Sequence, residues 1–205
     1  AALALLRRGI DVQIYDQSNQ LKEIGAGIQI SSNGSRVLFA LGLETALNQV
    51  QVRPERRVLR HWSTGETWNW FDLGNKSIER FGTPHLMLHR SDLHTLLANA
   101  VRSLKPDAIT LDRRCVAVNS AGGHAEATFE DGSVVKSPYV IGAAGIGSLV
   151  AKRSNARALR QGAVSAAHVY GYAAGEPGAG LHWDFRGGIA GALIPTNDGL
   201  ACIVA

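Results

Sequence analysis

The sequence contains only two cysteines, Cys115 and Cys202, among its 205 residues. They lie far apart, each within a mainly apolar or strand-like run, and this placement is typical of reduced, buried thiols rather than of a disulfide or a metal site. No cluster of other metal-ligating residues stands out. We therefore expect a cytoplasmic protein that holds no metal.

Long apolar runs are also absent. No stretch approaches the roughly 18 apolar residues that a membrane-spanning helix needs, and we expect no signal peptide at the N-terminus. The net charge of +4 is spread along the chain in short basic runs, which we interpret as solvated faces, with an anion-attracting mouth as the lesser alternative. No nucleic-acid motif is present. Neither a membrane nor a nucleic acid is therefore an expected partner.

The residues that are present have an ordinary globular composition, 45% hydrophobic and 19% charged with 23 glycines. The length suits one α/β domain with a partial second lobe. The chain does not begin with methionine, opens inside a helical pattern and ends inside a strand pattern at Ile203 to Ala205. We therefore expect a chain that is cut at both ends.

The first sixteen residues predict a helix, a tight turn and a strand. Ala1 to Arg8 is rich in helix formers and is closed by Gly9, and Asp11 to Tyr15 alternates polar and apolar residues. This order is typical of the second half of a βαβ unit. Asp16, at the strand's carboxyl end, could accept hydrogen bonds from both hydroxyls of an adenosine ribose. The alternative is that it only ends the strand or caps a turn.

The glycines between Ile24 and Ser31 allow a positive φ and let the backbone come close to a bound group, so they predict a ligand-facing loop before an apolar strand. A bare hairpin turn explains them equally well. Asn33 to Leu41 predicts a packing helix, with Val37, Leu38 and Leu41 on one face.

Arg56 to Phe71 predicts a hairpin around Thr64-Gly65-Glu66, where a β-rich second lobe leaves the first domain. We expect its aromatic residues, among them Trp62 and Trp68, in a core rather than in a substrate cage.

Leu86 to Leu93 leads into a helix that runs to about Leu104, with Ser91 or Asp92 as its N-cap. Arg90 could there meet a phosphate together with the helix N-terminus.

Beyond this helix the pattern predicts four short strands between 108 and 135, with a tight turn at Asp131-Gly132. A buried strand from Tyr139 to Ala143 follows, opening onto a small-residue loop that suits a phosphate or ribityl chain. Two further strands from Ile189 to Ala205 are joined by a turn at 195–199.

Several motifs occur in a characteristic order: a strand-end acid, Ile-Gly-Ala-Gly-Ile-Gln-Ile, Leu-His-Arg-Ser-Asp-Leu, and Ile-Gly-Ala-x-Gly-Ile-x-Ser. This series resembles the single-component FAD-dependent aromatic hydroxylases, particularly salicylate hydroxylase and its hydroxybenzoate and hydroxynicotinate relatives. The resemblance runs from Ala1 to about Ser148 and resumes near Pro195 to Gly199. It implies an α/β fold, namely a partial Rossmann-like FAD-binding domain of the glutathione-reductase type with a β-rich substrate lobe. The implied division is 1–52 and 85–153 for the FAD-binding domain, 53–84 for a β-rich insertion, and 154–205 for a partial substrate-binding lobe.

The resemblance also implies roles for individual residues. Asp16 takes the place of the acid, usually Glu, that holds the adenosine ribose. Ala26 and Gly27 lie in the loop beside the flavin, Arg90 matches an arginine near the pyrophosphate, and Val116 falls where backbone contacts adenine.

Gly145 belongs to a stretch that matches the family motif Gly-Ala-Asp-Gly-x-x-Ser, in which Ala144 replaces the acid. A methyl group cannot accept hydrogen bonds, and each unpaired donor on the buried cofactor typically costs about 1–3 kcal/mol. The family's amino-terminal dinucleotide fingerprint and its carboxyl-terminal Gly-Asp motif lie outside this sequence.

By the same resemblance, NADH or NADPH would reduce FAD, and O₂ would form a flavin C4a-hydroperoxide that hydroxylates a small phenolic or carboxylate-bearing aromatic substrate. The cofactor carries this chemistry, so no catalytic side chain is assigned. Four single histidines could each act as a base, but a structural role is the simpler interpretation (His89, His94, His168 and His182). Arg186 could bind a substrate carboxylate, an assignment that rests on its charge alone. The alternatives are a non-hydroxylating flavoprotein of the same fold and an inactive remnant, and a homodimer stays open.

Overall fold

The computed structural model describes residues 1–21, 26–154, 156–157, 159, 168–175 and 180–205. Within these ranges the chain is a mixed α/β structure. Its helices are α1 (Ala2–Leu6), α2 (Ser32–Ala40), α3 (Glu44–Val50), α4 (Asn75–Phe81), α5 (Arg90–Leu104) and α6 (Leu149–Arg153). Its strands are β1 (Ile14–Tyr15), β2 (Gly27–Ile30), β3 (Arg56–His61), β4 (Thr67–Asp72), β5 (Leu86–His89), β6 (Ile109–Thr110), β7 (Cys115–Ala121), β8 (His124–Phe129), β9 (Val134–Ser137), β10 (Tyr170–Ala174), β11 (Gly180–Arg186), β12 (Ile189–Pro195) and β13 (Leu200–Val204). None of the helices in these ranges has the length and apolarity needed to cross a bilayer.

The predicted helix, turn and strand at the amino-terminal end form, although both elements are shorter than their patterns. Gly9 adopts a φ of +73°, in the left-handed region that glycine tolerates best. Strand β1 pairs in parallel with β6, with Ile14 opposite Ile109, and α1 packs against α5. Asp16 consequently lies directly beyond the carboxyl end of a parallel strand.

Strand β5 lies between two apolar clusters. Leu86, Met87 and Leu88 are each 0% exposed, and side chains alternate along a strand, so Met87 faces opposite to its two neighbours. Both leucines join a cluster with residues of α1, α3 and α5, whereas Met87 joins a second cluster formed by β11, β12 and β13. Burial of both faces explains the unbroken apolar run. Cys202 is a buried free thiol in the second cluster, whereas Cys115, also free, is only partly buried.

A six-stranded sheet has the order β10-β13-β12-β11-β3-β4. The predicted hairpin forms between β3 and β4, with Gly65 at a φ of +69°, and the predicted turn at 195–199 joins β12 to β13. Strands β3 and β11 pair in parallel. The sheet therefore joins strands from the predicted ranges 53–84 and 154–205, while the four-part domain division itself stays a prediction.

Strands β7, β8 and β9 form a separate antiparallel sheet. The predicted tight turn connects β8 to β9, and its Gly132 has a φ of +81°. Helix α6 packs against β7.

The prediction of a buried strand from Tyr139 to Ala143 is wrong. The segment has no strand structure, and Tyr139 and Ile141 are 85% and 63% exposed. A buried strand needs a hydrogen-bonded neighbour for its backbone groups, and no strand within the described residues pairs with this segment. Its apolar composition alone therefore does not produce the strand.

Two packing predictions are also wrong. Val37 is 57% exposed, because α2 turns Leu38 toward the first cluster instead. Trp62 and Trp68 are 55% and 49% exposed rather than buried in a core. They lie near the tip of the β3–β4 hairpin, where the guanidinium of Arg186 lies 4.8 Å from the centre of the Trp62 ring.

His85, directly before β5, is a buried titratable residue. Its side chain is 7% exposed, and its Nε2 atom has no hydrogen-bond partner among the described residues. Burial, together with the positive charge of Arg57, lowers the pKa of His85 from 6.5 to about 4. The folded protein therefore holds this imidazole neutral at a pH where the unfolded chain is already protonated.

We expect this difference to reduce the free energy of unfolding as the pH falls from about 6.5 to about 4, since only the unfolded chain takes up the proton in that range. If the whole pKa difference acted on stability, the free energy of unfolding would fall by about 3 kcal/mol. Local opening that rehydrates the ring reduces the expected loss to about 1–2 kcal/mol. Urea unfolding at pH 7, 5.5 and 4 measures it. His85→Leu should lack this component, whereas His168→Gln, at an exposed position, should retain it. Parallel curves for His85→Leu and the unaltered chain would contradict the prediction.

Candidate cofactor site

Asp16 stands at the carboxyl edge of the parallel pair β1 and β6. Its backbone N–H donates to the carbonyl of Thr110 at 3.0 Å, and its carbonyl accepts from the N–H of Arg113 at 2.9 Å. One carboxylate oxygen accepts from the N–H of Ser18 at 2.8 Å, so the turn-capping role considered from the sequence is present. The other oxygen makes no hydrogen bond within the described part of the chain, and the side chain is exposed. Asp16 thus keeps an acceptor for a ligand.

An open, mainly polar cleft of about 750 Å³ lies beside this edge. Two loops form one wall: Gln17 and Ser18 follow β1, and Asp112 to Arg114 follow β6. They are held together because the N–H of Asp112 donates to the carbonyl of Ser18 at 2.9 Å.

Phe129, Glu130 and Asp131, at the turn between β8 and β9, also line the cleft. Arg113 donates from its guanidinium to the Asp131 carboxylate and to the Ser133 hydroxyl, and it lies 4.5 Å from the centre of the Phe129 ring. Hydrogen bonds from Ser133 and the charge of Arg113 hold the pKa of Asp131 below its ordinary value. This part of the lining is therefore ionised and fixed at neutral pH.

Val116 occupies a bulge in β7. Cys115 pairs with Phe129 and Ala117 pairs with Thr128, so Val116 has no partner in the β7–β8 register. A bulged residue leaves the ladder locally unpaired, and the Val116 side chain is 42% exposed. Its backbone can therefore meet a planar polar group.

Gly27 and Arg90 are brought to the same end of a strand pair, because β2 pairs with β5 and Gly27 lies opposite His89. Gly27 does not have a positive φ, so the positive φ that we expected for the glycines of this loop is wrong at this residue. A Cβ atom at Gly27 would lie 3.1 Å from Cγ2 of Thr196 and 3.4 Å from Cβ of Cys202. Close backbone approach is thus real, but it is toward this chain's own β12–β13 turn.

The other members of the glycine-rich segment differ in how far they can be placed. Ala26 packs against the second cluster, whereas Ile24 and Gly25 lie outside the described residues.

The predicted N-cap of α5 is wrong. The helix begins at Arg90, His89 occupies the cap position, and no side-chain hydrogen bond caps the helix. Instead Asn197, from the β12–β13 turn, reaches this point. Its Nδ2 donates to Oδ2 of Asp92 at 2.8 Å, and its Oδ1 accepts from the N–H of His89 at 3.4 Å. Sequence patterns missed this contact because 105 positions separate the side chains of Asn197 and Asp92.

Gly145 begins a 3₁₀ turn, Gly145–Gly147, with a φ of +65°. Glycine adopts this conformation without the cost that a Cβ atom adds. Ala144 precedes the turn in its N-cap position and makes no capping hydrogen bond. Ser148 caps the following helix α6 by accepting from the N–H of Ala151 at 3.2 Å. The loop is therefore ordered by glycine geometry and a serine cap, without an acid.

Gly142 allows this loop to pack onto α6. A Cβ atom there would lie 2.6 Å from Cβ of Val150, closer than packed carbon atoms tolerate. We expect Gly142→Ala to lower the free energy of unfolding by about 1–2 kcal/mol through overpacking, as measured by urea unfolding. Gly147→Ala is the matched control, since nothing lies within 4 Å of its Cβ position. Equal stability of the two variants would contradict the prediction.

The four histidines and the arginine that were considered for catalysis or substrate binding show no arrangement specific to such a role. The ring of His89 lies 4.8 Å from that of Tyr172, and the other three histidines are partly or fully exposed (His94, His168 and His182). Arg186 stands at the far end of β11 from Leu181, roughly 17 Å away along the strand. The sequence did not indicate His85, whose pKa is lowered by burial, because that burial depends on tertiary packing.

The candidate residues fall into two groups and one separate loop. In the first group, Asp16 directly precedes the cleft-lining Gln17, and Val116 lies two positions after the cleft-lining Arg114. The second group is at the β2–β5 end and contains Ala26, Gly27 and Arg90. The separate loop contains Gly145, which begins the 3₁₀ turn before α6. A free carboxylate oxygen, an unpaired backbone stretch and a cleft are features that fit the adenosine half of FAD. Ala144 does not supply the acceptor that the family motif has at that position.

Proteins of known activity resemble this chain. It is 37% identical over 148 residues, 72% of this chain and 37% of the relative, to 3-amino-4-hydroxybenzoate 2-monooxygenase of Streptomyces cremeus. It is 32% identical over 151 residues, 73% of this chain and 38% of the relative, to 6-hydroxynicotinate 3-monooxygenase of Pseudomonas fluorescens. The chain thus spans less than two fifths of the length of these curated relatives. No protein-family model matches it.

A solved structure shares the fold. Klebsiella pneumoniae HpxO complexed with FAD and uric acid matches with a TM-score of 0.82 at 23% identity, over 100% of this chain and 52% of that one. This likeness establishes a mixed α/β fold that matches part of an FAD-dependent hydroxylase structure. By its sequence relatives, the chain belongs to the FAD-dependent aromatic hydroxylase and monooxygenase family.

Proposed function

We propose that this chain forms part of a monooxygenase that uses FAD, NADH or NADPH, and O₂ to hydroxylate a small aromatic substrate bearing a phenol or a carboxylate. In this proposal ranges 1–52 and 85–153 form a partial Rossmann-like FAD-binding domain of the glutathione-reductase type, and the six-stranded sheet belongs to the substrate lobe. The substrate class is supported by relatives that act on an aminohydroxybenzoate and a hydroxynicotinate.

The main support for the proposal is the position of Asp16 at the carboxyl edge of the parallel strands β1 and β6. Ligands of open α/β sheets bind beyond the carboxyl ends of parallel strands, and Asp16 lies there, beside a cleft of about 750 Å³. Its oxygen that is not bonded to Ser18 would accept from the ribose hydroxyls. The unpaired backbone at Val116 would meet the adenine ring.

The β2–β5 end would hold the pyrophosphate and flavin side. Arg90 begins α5, where a guanidinium and a helix N-terminus both favour phosphate oxygens. The backbone at Ala26 and Gly27 would lie close to the flavin on the side away from Thr196 and Cys202. In the separate loop before α6, the absence of a side chain at Gly145 would let the backbone approach the cofactor.

When bound, FAD supplies the redox chemistry that couples oxidation of NAD(P)H to oxygen transfer. The chain's own contribution is to bind, orient and shield. The second apolar cluster, with Met87 and Cys202 fully buried, lies directly beneath Gly27. It would exclude water from that side of the site.

The test is to purify the 205-residue chain, add FAD, remove free cofactor by gel filtration, and record the visible spectrum and the flavin fluorescence. We expect about one FAD per chain. NADH and NADPH oxidation is then followed with hydroxybenzoates and hydroxynicotinates, with isotopically labelled O₂ to trace oxygen into the ring.

Each other outcome selects an alternative. FAD retention with NAD(P)H oxidation but no oxygen in the ring would favour a non-hydroxylating flavoprotein of the same fold. Loss of FAD on gel filtration would contradict the proposal for this chain and favour an inactive remnant.

A further inference from the structure

The β12–β13 turn contacts both segments of the β2–β5 end. Thr196, 4% exposed, packs its methyl carbon against Gly27, and Asn197 bonds to the first turn of α5. Asp198 and Gly199 both have left-handed backbone, with φ values of +62° and +65°. The N–H of Thr196 donates to the carbonyl of Leu200 at 2.9 Å, which closes the turn. A rigid, closed turn therefore presents Asn197 to the helix.

Asn197 contacts both the residue that precedes α5 and the first turn of the helix. The start of a helix leaves backbone N–H groups without partners, and a side-chain oxygen usually accepts from one of them. Here no side-chain hydrogen bond caps α5. Asn197 Oδ1 accepts from the N–H of His89, while its Nδ2 donates to the carboxylate of Asp92. Both contacts need one side chain that is a donor and an acceptor, as asparagine is.

These contacts bracket Arg90. His89 precedes it, Asp92 follows two positions later, and both are tied to the same asparagine side chain. The direction in which the Arg90 side chain leaves the backbone depends on the conformation of this turn. Without the contact, the first turn of α5 would lose its lateral support and fray, as uncapped helix ends do.

We propose that Asn197 is a positioning residue that fixes the β5–α5 turn and, through it, Arg90 at the cofactor site. The consequence for FAD affinity rests on the proposed function, whereas the ordering of residues 89–92 does not. Asn197 acts through Arg90, and no contact of its own with a cofactor is required.

A charge swap tests the role. Asn197→Asp places a carboxylate against those of Asp92 and Asp198, because the Asn197 amide also donates to Oδ2 of Asp198 at 3.3 Å. Asp92→Asn alone leaves two amides that can still pair. The double variant Asn197→Asp with Asp92→Asn restores a donor on residue 92 that faces an acceptor on residue 197. Asn99→Asp, exposed on the same helix, is the matched control. The readouts are amide hydrogen exchange over residues 86–93 without cofactor, and FAD affinity by fluorescence titration.

We expect Asn197→Asp to speed exchange at residues 89–92 about 10-fold and to weaken FAD binding about 10-fold, the effect of losing one charge-assisted hydrogen bond. The double variant should return both quantities to within about 3-fold of the unaltered chain, and the control should change neither. Unaltered exchange in Asn197→Asp, or a folded double variant that restores neither quantity, would overturn the proposal. If the unaltered chain fails to bind FAD, the proposed function fails, and the exchange measurements still decide the role of Asn197.

Discussion

Replacing Asp16 with asparagine is expected to weaken FAD binding about 30-fold while leaving the fold intact. An asparagine oxygen can still accept from the N–H of Ser18, which now donates to Asp16 at 2.8 Å. Its amide nitrogen, however, would face the ribose hydroxyls as a donor and would carry no charge. Loss of a charge-assisted hydrogen bond to a ligand costs about 2 kcal/mol, which corresponds to the 30-fold change.

Two further variants separate binding from folding. Asp16→Ala should weaken binding more, and it should also lower stability, because the turn bond to Ser18 is lost. Asp11→Asn removes the same charge at the exposed residue that pairs with Lys105 and should not change the affinity. Fluorescence titration gives the affinities and urea unfolding gives the stabilities. An Asp16→Asn chain that binds FAD like the unaltered one would show that Asp16 only caps its turn.

Turns and strand ends could be predicted from the sequence because their causes are local. Gly9, Gly65 and Gly132 each adopt the positive φ that their turns require, and a glycine between periodic segments signals this directly. The position of Asp16 after β1 follows equally from the order of residues. Local chemistry therefore identified one half of the candidate site.

Contacts between distant segments could not be predicted. The residues from Tyr139 to Ala143 have strand-forming side chains, yet a strand also needs a neighbour, and no residue pattern within the segment reports one. His85 is influenced by the charge of Arg57, 28 positions earlier, and the side chain that bonds to the first turn of α5 comes from Asn197. To predict any of these three features, one must know which segments of the chain contact each other.

Gly27 shows how a correct signal can have a different cause. Glycine was expected because backbone approaches a bound group closely. The atoms that fill its Cβ position belong to Thr196 and Cys202 of the same chain. The residue is required by the docking of a strand turn, and this docking in turn supports the surface proposed to face the cofactor.

Introducing aspartate at position 144 is expected to tighten FAD binding about 30-fold. Ala144 is exposed, directly precedes the turn at Gly145, and has no acceptor in its side chain. A carboxylate there could accept from cofactor hydroxyls that otherwise stay unpaired, and one charge-assisted bond contributes about 2 kcal/mol. Fluorescence titration of Ala144→Asp against the unaltered chain measures the change.

An aspartate at this position would also cap the 3₁₀ turn, which by itself would stabilise the chain by about 1 kcal/mol. Ala144→Asn caps equally well but is neutral, so it should raise the free energy of unfolding by a similar amount with a smaller gain in affinity. Ala143→Asp adds the charge one position away and should leave the affinity unchanged. If Ala144→Asp and Ala144→Asn raise stability equally and neither binds FAD more tightly, position 144 does not face the cofactor. The alanine would then be a neutral replacement rather than the cause of weakened binding.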